Sequence, residues 1–261
     1  MARLELEVPV FSPGSARVAL TRASRLELNR AGSYPQGGLT PELSDVQSLS
    51  SVPAPLRIMI RPRGPPEDGP DFIYSPSELE EMKRDIQLFK SSGHLHTERG
   101  DGFVFGILKA SDEPGEGPLL VDADTNSELV RLASPFRCVF HRAFDDILGS
   151  GGSSSSSSTV EEAVHAVKAC GFDGVLTSGG PGSAADNLDM LARVVHAAAA
   201  AENGIEVIVG GGVRSSNARV LRERLPRPEG SRVLFHSSCL TKRSGDVIDA
   251  DELSSLGDVL A

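Results

Sequence analysis

The feature that most limits how this chain can fold is a repeated unit: a short β-prone run, then a longer stretch of helical period. Strand candidates fall at Leu4–Val10, Arg25–Asn29, Leu56–Arg63, Gly102–Ala110, Arg137–Phe144, Gly174–Ser178, Glu206–Gly210 and Arg232–Ser237. The clearest helix is Ser77–Ser91, where Leu79, Met82, Ile86 and Phe89 recur at spacings of three and four, with Ser75 or Ser77 as cap. Val160–Cys170, Ala184–Ala201, Asn217–Leu225 and Glu252–Leu260 repeat the pattern. Strict alternation implies parallel strands joined by right-handed crossovers. Eight units in 261 residues fit a single α/β domain over residues 1–261, a (β/α)8 TIM barrel, better than a doubly wound sheet of five to seven strands. Two segments break the regularity. Gly149–Ser158 reads as a flexible Gly/Ser-rich loop at the C-terminal rim, and the unit after Val10 leaves room for only a short, poorly formed helix.

Charge and cysteine content narrow the function classes. Lys and Arg number 26 against 36 Asp and Glu, a net charge of −10, which argues against a nucleic-acid partner. No apolar run approaches the roughly 20 residues that span a bilayer, and acids interrupt the N-terminal stretch where a signal peptide would be apolar. The three cysteines, Cys138, Cys170 and Cys239, are far apart and form no CxxC pair. This pattern suits a reducing compartment, so the expectation is a soluble cytoplasmic protein.

Side-chain parity then says which strand residues face the barrel axis. Leu6 and Val8, Leu26 and Leu28, Ile58 and Ile60, and Cys138 and Phe140 form the helix-facing sets. Their opposites direct Glu5, Glu7, Glu27, Arg61, Arg63 and His141 inward. Barrel interiors are ordinarily filled with branched aliphatics, so these charges make either a self-compensating Glu–Arg plug or a polar pocket at the C-terminal mouth.

The strand ends carry chemistry of matching kind. Arg61 and Arg63 in Ile60-Arg61-Pro62-Arg63-Gly64 offer guanidiniums to an anion. His141, Arg142 and Asp145 supply an acid/base imidazole, a cation and a carboxylate. Thr177 and Ser178 end the sixth strand, Gly210-Gly211-Gly212 the seventh, and His236 and Ser237 the eighth. A Gly-rich loop at that place suits phosphate held by backbone N–H groups. His94 and His96 read as loop residues, and no nucleophile elbow, P-loop, HExxH or dinucleotide fingerprint is present.

Taken in order, Leu6-Glu7-Val8, Arg25-Leu26-Glu27-Leu28, Gly37-Gly38-Leu39-Thr40-Pro41, Ile60-Arg61-Pro62-Arg63-Gly64, Phe140-His141-Arg142-Ala143-Phe144-Asp145, Leu176-Thr177-Ser178-Gly179, Gly210-Gly211-Gly212-Val213 and His236-Ser237-Ser238 resemble the CutC family of copper homeostasis proteins. The resemblance spans Leu6 to about Ser238. It implies a TIM barrel, a cytosolic role in copper handling and copper as the bound ion, with cysteine ligands in some members. Copper(I) prefers soft sulfur ligands. This chain has Pro9, Val10 and Asn29 where such cysteines are common, leaving His236 and Cys239 as the one candidate metal pair.

Three readings follow. The chain binds or buffers copper, as the resemblance implies. Or it is an enzyme on a small anionic, even phosphorylated, metabolite. Glu7, Glu27, His141 and Asp145 would then be the acid/base groups, and Arg61, Arg63, Arg142, Thr177, Ser178, Gly211, Gly212, His236 and Ser237 would hold the ligand. Or it is a degenerate barrel with a binding role. Oligomeric state, including a homo-oligomer, stays open.

Overall fold

A computed structural model describes residues 5–111, 118–150, 158–242 and 247–261. Eight parallel strands close into a barrel: β1 (Leu6–Val10), β2 (Arg25–Leu28), β3 (Leu56–Met59), β4 (Gly102–Phe105), β7 (Arg137–Phe140), β8 (Gly174–Thr177), β9 (Glu206–Val209) and β10 (Val233–His236). Closure between β1 and β10, with Glu7 opposite His236, excludes the open doubly wound sheet. The surrounding helices are α1 (Pro13–Ala19), α2 (Leu43–Ser48), α3 (Pro76–Ser91), α4 (Ala123–Ala133), α5 (Ala143–Ser150), α6 (Ser158–Ala169), α7 (Leu188–Ala200), α8 (Ser215–Arg224) and α9 (Ala250–Leu260).

Local chemistry accounts for several of these boundaries. Ser75 begins α3 with a reciprocal cap: Glu78 N–H donates to its hydroxyl, and the Glu78 carboxylate accepts from Ser75 N–H at 2.7 Å. The helix after β1 is short but well formed, because Ser12 accepts from Ser15 N–H and Pro13 supplies a fixed φ at its first turn. The expected strand Gly102–Ala110 divides in two. β4 stays in the barrel, whereas β5 (Leu108–Ala110) leaves it to pair antiparallel with β6 (Leu119–Val121). The turn-out is at Gly106, where an added Cβ would meet the His141 and Phe140 rings at 2.9 and 3.0 Å. Gly149 and Ser150 close α5 and Ser158 opens α6, so the Gly/Ser-rich run joins two helices; its residues 151–157 lie outside the described residues.

Parity sorts the strands into two cores. The helix-facing side chains, among them Leu6, Val8, Leu26, Ile58, Phe103, Phe140 and Phe235, merge with the helices into one apolar shell. Inside the barrel, Met59, Val104, Val139, Leu176, Ile208 and Leu234 form a separate apolar belt, one residue from each of six strands. β1 and β2 contribute no member to that belt and present Glu7, Arg25 and Glu27 instead, all at most 3% exposed. Arg25 ties this wedge together, with Nε on Glu7 Oε2 and Nη1 on Glu206 Oε1 at 2.6 Å. Arg232 reaches Glu206 from the rim at 3.1 Å and Glu5 at 3.0 Å. Glu5 is therefore a half-exposed rim residue rather than an inward one.

Removing one member of a buried ion network costs about 3–5 kcal/mol, whereas an exposed pair contributes at most about 1 kcal/mol. Arg25→Met is expected to lower stability by about 3–5 kcal/mol in urea unfolding, and Arg232→Gln by no more than about 1 kcal/mol. Equal effects would show that the wedge does not depend on Arg25.

Candidate functional site

At the C-terminal mouth the wedge opens into a cavity of about 420 Å³. Its wall carries Glu27, Arg61, His141 and His236, and apolar contacts come from Met59, Phe72 and Leu176. A second cavity of about 180 Å³, beside Gly211 and Gly212, shares Glu27, Gly37, Arg142 and His236 with the first. The two are adjoining compartments with one common wall.

That wall holds a carboxylate–imidazole–carboxylate cluster. One ligand atom each from Glu7, Glu27 and His236 lie within 4.8 Å of one another. Burial raises the proton affinity of Glu7, but Arg25 and His236 outweigh it and bring its pKa down to about 2. An ionised Glu7 requires a proton on His236 Nδ1, 2.8 Å away, and leaves Nε2 for the cavity. Burial lowers the pKa of His236, yet Glu27 and Glu7 more than offset this and raise it. Glu27 moves upward as well, through burial and repulsion from Glu7, against the pull of His236. Its Oε1 accepts from Asn29 Nδ2 at 3.0 Å, and its buried Oε2 has no protein partner.

His141 stands on the other side of the large cavity. Its Nδ1 accepts from Ala143 N–H at 3.3 Å, so a neutral ring carries its proton on Nε2. That atom is buried without a protein partner. Burial, with Arg61 and Arg142 nearby, pushes the pKa down to about 3. Phe72 packs against the ring at 4.6 Å between centroids.

The arginines expected to clamp an anion have internal partners. Arg61 donates to Asp71 at 2.7 Å and to the carbonyls of Gln36 and Gly38, and it lies over Phe72. Arg63 falls outside both cavities, bonded to Glu78 at 2.7 Å and the Ile73 carbonyl, with its guanidinium over Tyr74. Sequence reasoning missed Asp71 because it lies in the loop before α3, where no periodicity indicates direction.

Asp145, expected as an acid/base group, is bonded to the loop after β8. Its carboxylate accepts from Thr177 Oγ1 at 2.5 Å, from Ser178 N and Oγ at 2.9 Å, and from Arg142 Nε at 2.7 Å. Thr177 and Ser178 are fully buried by these contacts, which turns them from ligand-facing residues into loop supports. Gly211 has φ +84°, and an added Cβ would stand 2.6 Å from Ser178 Cβ, so only glycine fits. The helix end behind this loop is not an open phosphate site. Glu252 accepts from Ser215 N and Oγ, each at 2.7 Å, where an external anion would bind. Ser237 borders the small cavity but donates to the Val213 carbonyl at 2.7 Å.

Cys239 does not join His236. Its side chain packs in the outer apolar shell with Sγ 3.6 Å from Ser237 Oγ, and burial pushes the thiol up to about 11. Cys138 and Cys170 are likewise free, buried and outside both cavities. The residues that complete the mouth and escaped sequence reasoning are Asn29, Phe72 and Arg214. Asn29 shares the strand parity of Glu27, which is the signal that could have found it; the other two depend on loop paths.

Barrel, polar wedge and paired cavities at the strand C-termini define a TIM-barrel protein with its site at the mouth. The profile of the CutC family matches residues 4–233, and the chain belongs to that family. It is 31% identical over 248 residues to the copper homeostasis protein cutC homolog of Drosophila melanogaster, covering 94% of this chain and 81% of that protein. The human homolog of the same name is 33% identical over 222 residues, covering 85% and 67%. Among solved structures, the Streptococcus agalactiae protein described as a copper homeostasis protein CutC superimposes with a TM-score of 0.66 at 23% identity, over 89% of this chain and 98% of that one. Phosphoribosyl anthranilate isomerase from Thermococcus kodakaraensis shares the fold alone, with TM-score 0.59 at 11% identity over 99% of each chain. Among the described residues, no helix is long and apolar enough to cross a membrane.

The low pKa of His141 has a defined sign in stability. Below its ordinary value the unfolded chain takes up a proton that the folded chain refuses, so stability falls with pH. Relative to His141→Gln, the protein is expected to lose up to about 1.4 kcal/mol per pH unit between about pH 6 and pH 4. Parallel stability curves for the two would exclude a buried neutral His141.

Proposed function

We propose that this chain serves copper homeostasis by binding one copper ion, in its divalent form, between Glu27 and His236 at the barrel mouth. The observation that carries this reading is the cluster of Glu7, Glu27 and His236, in which the buried Glu27 Oε2 has no protein partner. Copper(II) accepts imidazole nitrogen and carboxylate oxygen in tetragonal geometry, whereas copper(I) favours thiolate. The donors at the mouth suit the first and not the second, since no cysteine borders either cavity. Glu7 stands behind the ligands: by accepting from Nδ1 it fixes the ring and makes Nε2 the ligating nitrogen.

The enzymatic alternative called on Arg61 and Arg63 as an anion clamp and Asp145 as an acid/base group. All three are bonded internally, which favours the copper reading.

Anaerobic preparation is unnecessary for the test, because the oxidised ion is the ligand. Titration with copper(II) is expected to reach one ion per chain, with nitrogen hyperfine splitting from a single imidazole in the electron paramagnetic resonance spectrum. Glu27→Gln and His236→Asn each abolish that signal, and Glu7→Gln weakens binding by about 10–100-fold. Cys239→Ser leaves binding intact. Copper binding that survives Glu27→Gln and His236→Asn, or that disappears in Cys239→Ser, would refute the assignment.

A further inference from the structure

A copper(II) ion held by two protein ligands would have further positions to fill, and the same two residues, Glu27 and His236, also line the small cavity. Arg142 and Arg214 also line it, beside apolar and hydroxyl groups from Phe11, Tyr34 and Ser238. Arg142 comes from the end of β7, with Nε on Asp145 and Nη2 on Ser178 Oγ at 2.9 Å; no described residue engages Nη1. Arg214 is the N-cap residue of α8 and differs in kind. Its Nη1 donates to the Val213 carbonyl at 2.7 Å and Ser237 Oγ at 3.3 Å, and its Nη2 to the Leu240 carbonyl at 3.2 Å. All three acceptors are neutral, and among the described residues no carboxylate lies within salt-bridge distance. The head group is thus held in place by neutral acceptors, with no described carboxylate in contact with it. A guanidinium so prepared recognises an oxyanion with little further ordering.

Between the two arginines the wall is bare backbone. Gly211 has no side chain to cover Arg142, whose Nη2 would lie 3.4 Å from a Cβ there. The helix dipole of α8 does not take part, since Glu252 closes that N-terminus. The anion-holding groups are therefore the guanidiniums. A lone anion here would face the Glu27 carboxylate across the shared wall; an ion between them reverses that repulsion.

We propose that the small cavity holds a carboxylate of a small chelating acid, so that copper is bound as a copper–carboxylate complex bridging Glu27 and His236 to Arg142 and Arg214. This rests on the copper reading above, but adds a recognition site for the ion's accompanying ligand. The largest contribution comes from Arg214, a residue that no strand-end motif contains.

Equilibrium dialysis of the full chain against equimolar copper(II) and radiolabelled citrate tests it, with copper(II)–glycine as a second source of the ion. The expected result is retention of copper and citrate in equal amounts. Arg214→Gln is expected to lower the citrate retained per copper at least about tenfold, the equivalent of about 1.4 kcal/mol. Arg142→Gln serves as the second variant if the first does not fold, as judged by its thermal melt. Copper retained without citrate, or a citrate-to-copper ratio unchanged in a folded Arg214→Gln protein, overturns the inference and leaves the copper site standing. Copper retained from neither source removes the metal reading, and this inference with it.

Discussion

The rest of the structure depends on one buried cation. Arg25 lies inside the barrel between Glu7 and Glu206, and removing all three groups from water is favourable only because each satisfies another. Burial works against the charge of Arg25, but Glu7 and Glu206 overcome it and strengthen its hold on the proton. The consequence for the site runs upward along the axis. Because Arg25 favours the ionised form of Glu7, the Glu7 carboxylate accepts from His236 Nδ1, which orients the ring. The imidazole at the mouth is oriented by an arginine that never reaches the cavity. A continuous line of ion pairs runs from the rim at Arg232 through Glu206, Arg25 and Glu7 to His236.

This arrangement explains why the barrel interior is divided. Six strands give the apolar belt of Met59, Val104, Val139, Leu176, Ile208 and Leu234, which fills the lumen and excludes water from it. β1 and β2 are neighbours in the sheet, with Glu7 opposite Arg25 and Pro9 opposite Glu27. Their polar side chains therefore collect on one side of the axis, against a dry opposite wall. The low-dielectric belt strengthens every interaction in the wedge and makes any loss of a partner costly.

Alternation along a strand is local, so it was readable from the sequence: the inward direction of Glu7, Glu27, Arg61 and His141 follows from period two alone. What parity could not give was partnership. Arg25 has the strand parity of Glu27, but only closure of the barrel sets it against Glu206, 181 positions away. Arg61 and Arg63 looked free because Asp71 and Glu78 follow the strand in a loop and a helix cap, where chain direction is decided by hydrogen bonds with no periodicity. The same holds for Arg214, whose head group is bonded only to neutral acceptors among the described residues. A residue's charge is written in the sequence, but whether that charge is neutralised is a property of the fold.

The position of the sulfur atoms bears on how a copper homeostasis family can include this chain. A thiol binds copper(I) as thiolate, and burial in an apolar shell opposes losing the proton. Burial raises Cys239 to about 11, and burial together with Asp173 raises Cys138 further. Making either a ligand would require opening the shell that joins helices to strands, at a cost in packing that two-coordinate binding would have to exceed. The mouth asks for no such rearrangement. Its donors are oxygen and nitrogen, already directed by Asn29 and Glu7, and across the same wall stands Arg214, which no described carboxylate contacts. In this chain the donors that face the mouth are therefore oxygen and nitrogen held by the Arg25 wedge, and the thiols belong to the packing of the shell.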